Sequence, residues 1–312
     1  MPIRPDQIFT QALDDAAAHL PEIARGDALG LRAALDPILL EESRRISPIP
    51  DVSRRDITVS ADDGATLLAR WYTKRGSSPG SAALFLHGGG LIAGSVKIYD
   101  PYVAQHVHWS GVPMLSLDYR LAPEATGDTP ARDATAALRW LREHAEELGV
   151  DAGRVGVMGD SAGGGVAAAT AILARDEGIE IAQQILIFPM LDDRTTQEDP
   201  SLGRLVTWTH EDNYTGWHAL LGDAIATAGV PASAAPARLD NFAGLAPAYI
   251  EVGAVDLFRD EDIRYACRLL QAGVQTELHV HPGAPHAYDS MALDSPFASR
   301  WRKDRTRVLK SL

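Results

Sequence analysis

Two short apolar runs, Ala82 to Leu86 and Arg154 to Met158, have the length of buried strands, and each runs straight into a glycine-rich turn. His87-Gly88-Gly89-Gly90 follows the first. Gly159-Asp160-Ser161-Ala162-Gly163 follows the second and leads into an alanine-rich helical stretch. A G-x-S-x-G pattern at a strand end holds its serine on a strained strand-to-helix turn. Three successive glycines carry a large entropic cost on folding, so they point to backbone that must approach something closely. Both features stand at the ends of expected strands, and in this order they point together to acyl-transfer chemistry.

The rest of the chain reads the same way. Strands are expected at Ala82–Leu86, Met114–Leu117, Arg154–Met158, Gln184–Phe188, Ala248–Val252 and Glu277–Val280. Helices are expected near Asp100–Ser110, Ala131–Leu148, Ala162–Arg175, Asp260–Ala272 and Ser299–Leu309. This alternation predicts an α/β fold with a mostly parallel sheet covered on both faces. Before it, Asp56–Ser60 and Thr66–Tyr72 alternate around Asp62-Asp63-Gly64, a hairpin signal. Residues 1–50 read as two amphipathic helices, Gln7 to Ala18 with Ile8, Ala12 and Ala16 on one face, and Asp27 to Ser43 with Leu31, Leu35 and Leu39. Leu20-Pro21 joins them, and Ser47-Pro48-Ile49-Pro50 closes the segment. Residues 51–312 then form the main domain, interrupted from Asp192 to about Asp240 by an excursion over the top of the sheet.

Serine hydroxyl is a weak nucleophile near neutral pH, so Ser161 needs a base, and that base needs an orienting acid. Asp256 follows the apolar run ending at Val252, and His286 lies beyond Leu278–Val280 in a loop built by Pro282-Gly283 and Pro285. Both sit past the C-terminal ends of expected parallel strands, where such sheets place their sites. The order nucleophile, acid, histidine is that of α/β-hydrolases. His279 and His281 compete for the base, with His279 expected to point into packing. Asp260 and Asp262 compete for the acid, although helix N-termini favour acids for capping alone. Ala162, the residue after the serine, and the glycine tract supply N–H groups for an oxyanion. His87 is expected to anchor the tract by a side-chain hydrogen bond.

His87-Gly88-Gly89-Gly90, Asp118-Tyr119-Arg120-Leu121-Ala122-Pro123-Glu124, the Gly159–Gly164 motif, Asp256-Leu257-Phe258-Arg259-Asp260-Glu261 and His286 together resemble the bacterial hormone-sensitive-lipase-like esterases, family IV of the lipolytic enzymes. The resemblance runs from about residue 54 to the C-terminus. It implies an α/β-hydrolase fold with an eight-stranded sheet, and a helical cap made of residues 1–50 and the insertion at about 192–240. It also implies Ser161 as nucleophile, His286 as base and Asp256 as orienting acid, with Gly89, Gly90 and Ala162 forming the oxyanion hole. Three positions depart from the family pattern: Leu91 stands where an aromatic is frequent, Leu257 replaces a proline, and Ala287-Tyr288 replaces the pair after the histidine. These bear on pocket shape. None removes a catalytic group.

Leu91, Trp208, Tyr214 and Trp217 are candidates to line the substrate pocket. Asp118 and Arg120 are expected in structural ion pairs beneath the site, and Cys267 as a small buried hydrophobe. The net charge of −13 argues against nucleic acid or an anionic membrane as partner. A single cysteine rules out an intrachain disulfide and suits a reducing compartment. No apolar stretch reaches the roughly 18 residues of a membrane span, and the N-terminus lacks a signal-peptide core, so a cytoplasmic location is expected. No metal-binding motif or nucleotide loop occurs, and neither metal nor cofactor is expected. The reading is therefore hydrolysis of small-molecule esters with short to medium acyl chains. Alternatives are amide, carbamate or lactone cleavage with the same triad, or a non-catalytic small-molecule receptor on the same fold. Pairing of sheet edges in a homodimer is compatible with such a fold.

Overall fold

The computed structural model describes residues 4–11, 13, 23–196, 202, 207–293 and 295–312. One sheet of eight strands organises them: β1 (Val52–Ser60), β2 (Thr66–Lys74), β3 (Ala82–Leu86), β4 (Met114–Leu117), β5 (Val155–Asp160), β6 (Gln184–Ile187), β7 (Ala248–Val255) and β8 (Thr276–Pro285). Their spatial order is β1-β2-β4-β3-β5-β6-β7-β8. β1 and β2 pair antiparallel, as do β2 and β4, and the remaining neighbours are parallel. The predicted hairpin at Asp62-Asp63-Gly64 joins β1 to β2.

The apolar runs are continuous because both faces are covered. In β3, Leu84 and Leu86 face one core, shared with Leu138 and Leu141, while Ala83 and Phe85 face the other, shared with Val103, Val107 and Trp301. Helices α2 (Asp100–Ser110), α3 (Thr129–Glu143), α4 (Ala162–Asp176), α6 (Arg259–Gln271) and α8 (Ala298–Lys310) fall close to the predicted positions. The α3 pattern was predicted to reach Leu148, but turns replace the helix after Glu143.

Near the N-terminus, residues 7–11 and 13 are helical. Here the predicted face is displaced by one position: Ile8 is exposed, while Phe9 and Leu13 are buried. Phe9 packs edge-on against Phe297 at 5.4 Å, and that contact outranks local periodicity. Ala12, Ala16, the end of this helix at Ala18 and the Leu20-Pro21 joint lie outside the described residues. Helix α1 (Ala28–Arg44) starts where Asp27 accepts the Gly30 N–H. It is pinned to the loop that follows the glycine tract. Asp36 accepts the Gly94 N–H at 2.9 Å, and Arg32 donates to Ile92 and Ala122 carbonyls and pairs with Glu124. The excursion carries α5 (His210–Leu221), which packs on α1. Gly26 N–H donates to Thr215 Oγ1, and Arg25 pairs with Glu211. Asp193, fully buried, anchors the excursion by pairing with Arg238 at 2.7 Å and accepting the Ala226 N–H.

A buried charge cluster fastens α8 to the sheet. Arg305, with no exposed surface, reaches Glu251 in β7 and Asp289 in the short helix α7 (Tyr288–Met291), at 2.5 and 2.6 Å. Tyr249 and Tyr288 hydroxyls also donate to Glu251, and Tyr102 donates to Asp289. Burial pushes the Glu251 carboxyl up, but Arg305 and nearby His281 outweigh it and hold the group well below the ordinary range. Removing the cation leaves two carboxylates stranded. Arg305→Ala is expected to lower unfolding free energy by about 3–5 kcal/mol in urea titration at pH 7, and replacing Arg305, Glu251 and Asp289 together by apolar residues of similar size should lower it less. Equal losses in the two would overturn this account.

Candidate active site

Ser161 sits between β5 and α4 with φ +52° and ψ −122°, a conformation that non-glycine residues seldom adopt. The turn survives because small neighbours let it pack tightly. A Cβ on Gly163 would fall 2.1 Å from the Leu86 carbonyl oxygen at the end of β3. Ser161 N–H donates to Ile187 at 2.9 Å, while its carbonyl accepts from Met190 and Gly165. The strained turn is therefore held from β3, β6 and α4 at once.

Three of the candidate residues meet there. His286 Nε2 lies 2.9 Å from Ser161 Oγ, and His286 Nδ1 lies 2.8 Å from Asp256 Oδ2. An Nδ1–H donated to the carboxylate leaves Nε2 to accept the serine O–H. Asp256 Oδ1 accepts the Phe258 N–H at 2.9 Å, which fixes the carboxylate after β7. Phe188 and Phe258 pack edge-on against the imidazole, at 4.8 and 5.1 Å. The competitors lie elsewhere. His279 is half-exposed beside Glu277, Asp304 and Arg307 rather than packed inward, since β8 is an edge strand. His281 is buried against Tyr288. Asp260 is exposed and bonded to Arg259. Asp262 is no capping acid. It is fully buried, and neither carboxyl oxygen has a hydrogen-bond partner among the described residues.

The glycine tract curls over the serine. Gly89 carbonyl accepts from Ile92 and Ala93, and Gly89, Gly90 and Leu91 all have positive φ. Among the described residues, the N–H groups of Gly89, Gly90 and Ala162 meet no protein acceptor. His87 bonds the Gly88 carbonyl through Nδ1 at 2.8 Å and stacks on Tyr119, the anchoring role expected of it. Trp208 lies against the tract: a Cβ on Gly90 would fall 2.2 Å from its ring. Its indole N–H donates to Asn213 Oδ1, Asn213 donates to the Thr195 carbonyl, and Thr195 Oγ1 donates to Glu261. Glu261 also accepts the Leu191 and Asp192 N–H groups. A hydrogen-bonded strap thus runs from the first turn of α6, just after Asp256, to the glycine tract.

Residues 83–290 match a family described as alpha/beta hydrolase fold. Among curated relatives, esterase LipI of Mycobacterium tuberculosis is 38% identical over 69% of this chain and 68% of its own length. Ethyl acetate hydrolase of Pseudomonas putida is 32% identical over 89% of this chain and 92% of its own length. Among solved structures, a bacterial heroin esterase superposes with a TM-score of 0.87 at 33% identity, covering 98% of this chain and 97% of that one. The chain belongs to the α/β-hydrolase fold family. Within it, the chain is a carboxylic ester hydrolase of the hormone-sensitive-lipase-like group. No helix among its described residues is long and apolar enough to cross a membrane.

Two cavities of this α/β-hydrolase flank the serine turn. A narrow one, about 10 Å³, is walled by Leu91, Gly165, Val166, Met190, Trp217 and Leu220. A larger one, about 80 Å³, lies on the Asp160 and Ala287 side and is reached by Glu42, Tyr99, Phe188 and Asp289. Leu91 and Trp217 therefore line a cavity, whereas Trp208 covers the glycine tract. Tyr214 lines neither: its ring lies under the Arg25 guanidinium at 3.7 Å and stacks on His218. Arg120 pairs with buried Asp133 and with Asp63 as expected, while Asp118 instead accepts the Val96 N–H. Cys267 is exposed, because α6 turns Tyr265, Ala266 and Leu269 inward and leaves position 267 on the opposite side. Sequence reasoning passed over Glu42, Tyr99, Asn213 and Glu261. Only Glu261 stood inside a quoted motif, and contacts between distant segments place the others.

Burial holds Glu261 in its protonated form up to about 8, against 4.5 for a free glutamate. The unfolded chain loses that proton near pH 4.5 while the folded chain keeps it. The stabilising difference is complete below pH 4.5 and disappears as pH rises through about 8. Glu261→Gln mimics the protonated acid. Relative to this variant, wild type should lose stability steadily from pH 5 to pH 8 in urea titrations. A stability gap that does not change with pH would refute the assignment.

Proposed function

We propose that the chain is a serine carboxylesterase acting on short to medium acyl esters through an acyl-enzyme. The hydrogen-bonded series Ser161–His286–Asp256, closed at 2.9 and 2.8 Å beneath three unengaged N–H groups, carries the reading. Helix α1 and the excursion after β6 together act as the cap over the site, pinned to it through Arg32, Asp36 and Trp208.

Ser161 Oγ attacks the ester carbonyl carbon while its proton passes to His286 Nε2. Asp256 holds the imidazole in the receptive tautomer and stabilises the imidazolium that forms. The carbonyl oxygen becomes an oxyanion and draws hydrogen bonds from Gly89, Gly90 and Ala162, each such donor lowering the barrier by about 3 kcal/mol. The tetrahedral adduct collapses, the carbon–alkoxide bond breaks, and His286 returns the proton to the departing alcohol. Water then repeats the sequence against the acyl-enzyme and releases the acid. The larger cavity, about 80 Å³, leaves room for a small acyl or alcohol group, whereas the narrow one, about 10 Å³, holds no more than about one water.

Ser161→Ala is expected to reduce hydrolysis of p-nitrophenyl butyrate by a factor of about 10⁶ while leaving the fold intact by circular dichroism. Asp256→Asn should cost about 10⁴ by favouring the wrong tautomer. A fluorophosphonate should label wild type at Ser161 and leave the alanine variant unlabelled. Turnover that survives in Ser161→Ala would eliminate the mechanism.

A further inference from the structure

The excursion after β6 touches the catalytic machinery at two neighbouring residues. Thr207 donates its hydroxyl to the His286 carbonyl at 3.1 Å. That carbonyl precedes Ala287, whose φ of +55° is unfavourable for a residue with a side chain, so the bond secures a strained peptide beside the base. Trp208, one residue on, lays its buried ring against Gly90, where a Cβ would fall 2.2 Å from it. Gly90 has need of such support. Gly89 is held by Ile92 and Ala93, but among the described residues no backbone hydrogen bond ends on Gly90. Its carbonyl meets α5 instead, at 2.4 Å from where a Cβ on Gly216 would stand. The Gly90 peptide is thus gripped between the Trp208 ring and the α5 backbone.

Thr207 and Trp208 are themselves held firmly. Thr209, the next residue, caps α5 through reciprocal bonds with Asp212 at 3.0 and 3.1 Å. The indole N–H reaches Asn213 at 3.3 Å, and Asn213 leads through Thr195 to Glu261 on α6. Consecutive Cα atoms lie only about 3.8 Å apart, so a single peptide unit joins the anchor on the base loop to the anchor on the glycine tract. We propose that Thr207 and Trp208 are positioning residues, which hold the His286 loop and the Gly90 N–H in the arrangement that the tetrahedral adduct requires. The proposal rests on the serine-hydrolase reading. Their effect falls on the adduct and not on the bound ester, because the oxyanion that Gly90 serves forms only as the adduct does. A displacement of about 1 Å in such an arrangement costs about 10² in rate.

Two matched ketones separate positioning from packing. With 1,1,1-trifluorooctan-2-one, Ser161 Oγ adds to the carbonyl carbon, its proton passes to His286, and the carbonyl oxygen becomes an oxyanion facing the glycine tract. Octan-2-one only occupies the site. The preference for the fluorinated ketone, as a ratio of inhibition constants, is internal to each protein, so partial loss of folded enzyme does not disturb it. Trp208→Ala should lower kcat/KM for p-nitrophenyl butyrate by about 10² and lower that preference by a similar factor. Thr207→Val should lower both about tenfold, and Thr207→Ser, which keeps the hydroxyl, should restore both to within about threefold of wild type. If Trp208→Ala does not fold by circular dichroism, the two Thr207 variants decide alone. An unchanged preference in either folded variant, Trp208→Ala or Thr207→Val, would overturn the proposal even if kcat/KM falls, because that residue would then only pack. Failure of the serine to rescue would overturn it too. Each of these results leaves the esterase reading standing, whereas hydrolysis that survives Ser161→Ala would bring down both together.

Discussion

Close backbone contact between the Ser161 turn and the end of β3 is the constraint on which the rest of the site depends. With φ at +52°, Ser161 relies on its surroundings to keep an unfavourable conformation. Those surroundings can reach it only because Gly163 presents hydrogen where any side chain would strike the Leu86 carbonyl. The same contact brings the glycine tract, which leaves β3 at Leu86, over the start of α4. One steric requirement thus brings the serine turn and the start of the glycine tract side by side. The histidine and aspartate come from β8 and β7, which reach this edge through ordinary parallel pairing.

Much of this architecture was legible in the residues. Strands buried on both faces announce themselves as unbroken apolar runs, and β3 and β4 were placed to the residue for that reason. The positions of Ser161, Asp256 and His286 followed from strand ends and chain order. What stayed hidden depends on long-range contact. The one-residue displacement at Phe9 arises from packing on Phe297, almost the length of the chain away. The exposure of Cys267 depends on which side of α6 meets the sheet, and two leucines at 269 and 270 left that open until only Leu269 proved buried. Asp262 is more instructive. An acid near a helix start invites a capping interpretation, yet its carboxyl is enclosed and unpartnered, which burial makes tolerable only in the protonated form.

The site is also enclosed from above by segments with little connection in sequence. Arg32 and Asp36 of α1 hold the loop after the glycine tract, and Trp208 presses on Gly90. Trp208 is in turn tied through Asn213 and Thr195 to Glu261, one turn beyond the acid. A side chain added at Gly90 or Gly216 would disturb this contact from either direction, since a Cβ on Gly216 would lie 2.4 Å from the Gly90 carbonyl. The covering segments therefore shape the floor they rest on.

The charge cluster around Arg305 has a consequence for how the molecule is made. Asp289 stands three residues after His286, and its cationic partner belongs to α8. During synthesis on the ribosome, the serine turn and the strands up to β6 emerge long before that guanidinium does. Until α8 docks, the loop bearing the imidazole lacks its tether, and Glu251 and Asp289 have no cation to balance them. A nascent polypeptide would thus carry an assembled nucleophile with an unsecured base, and competence would arrive only with the last helix.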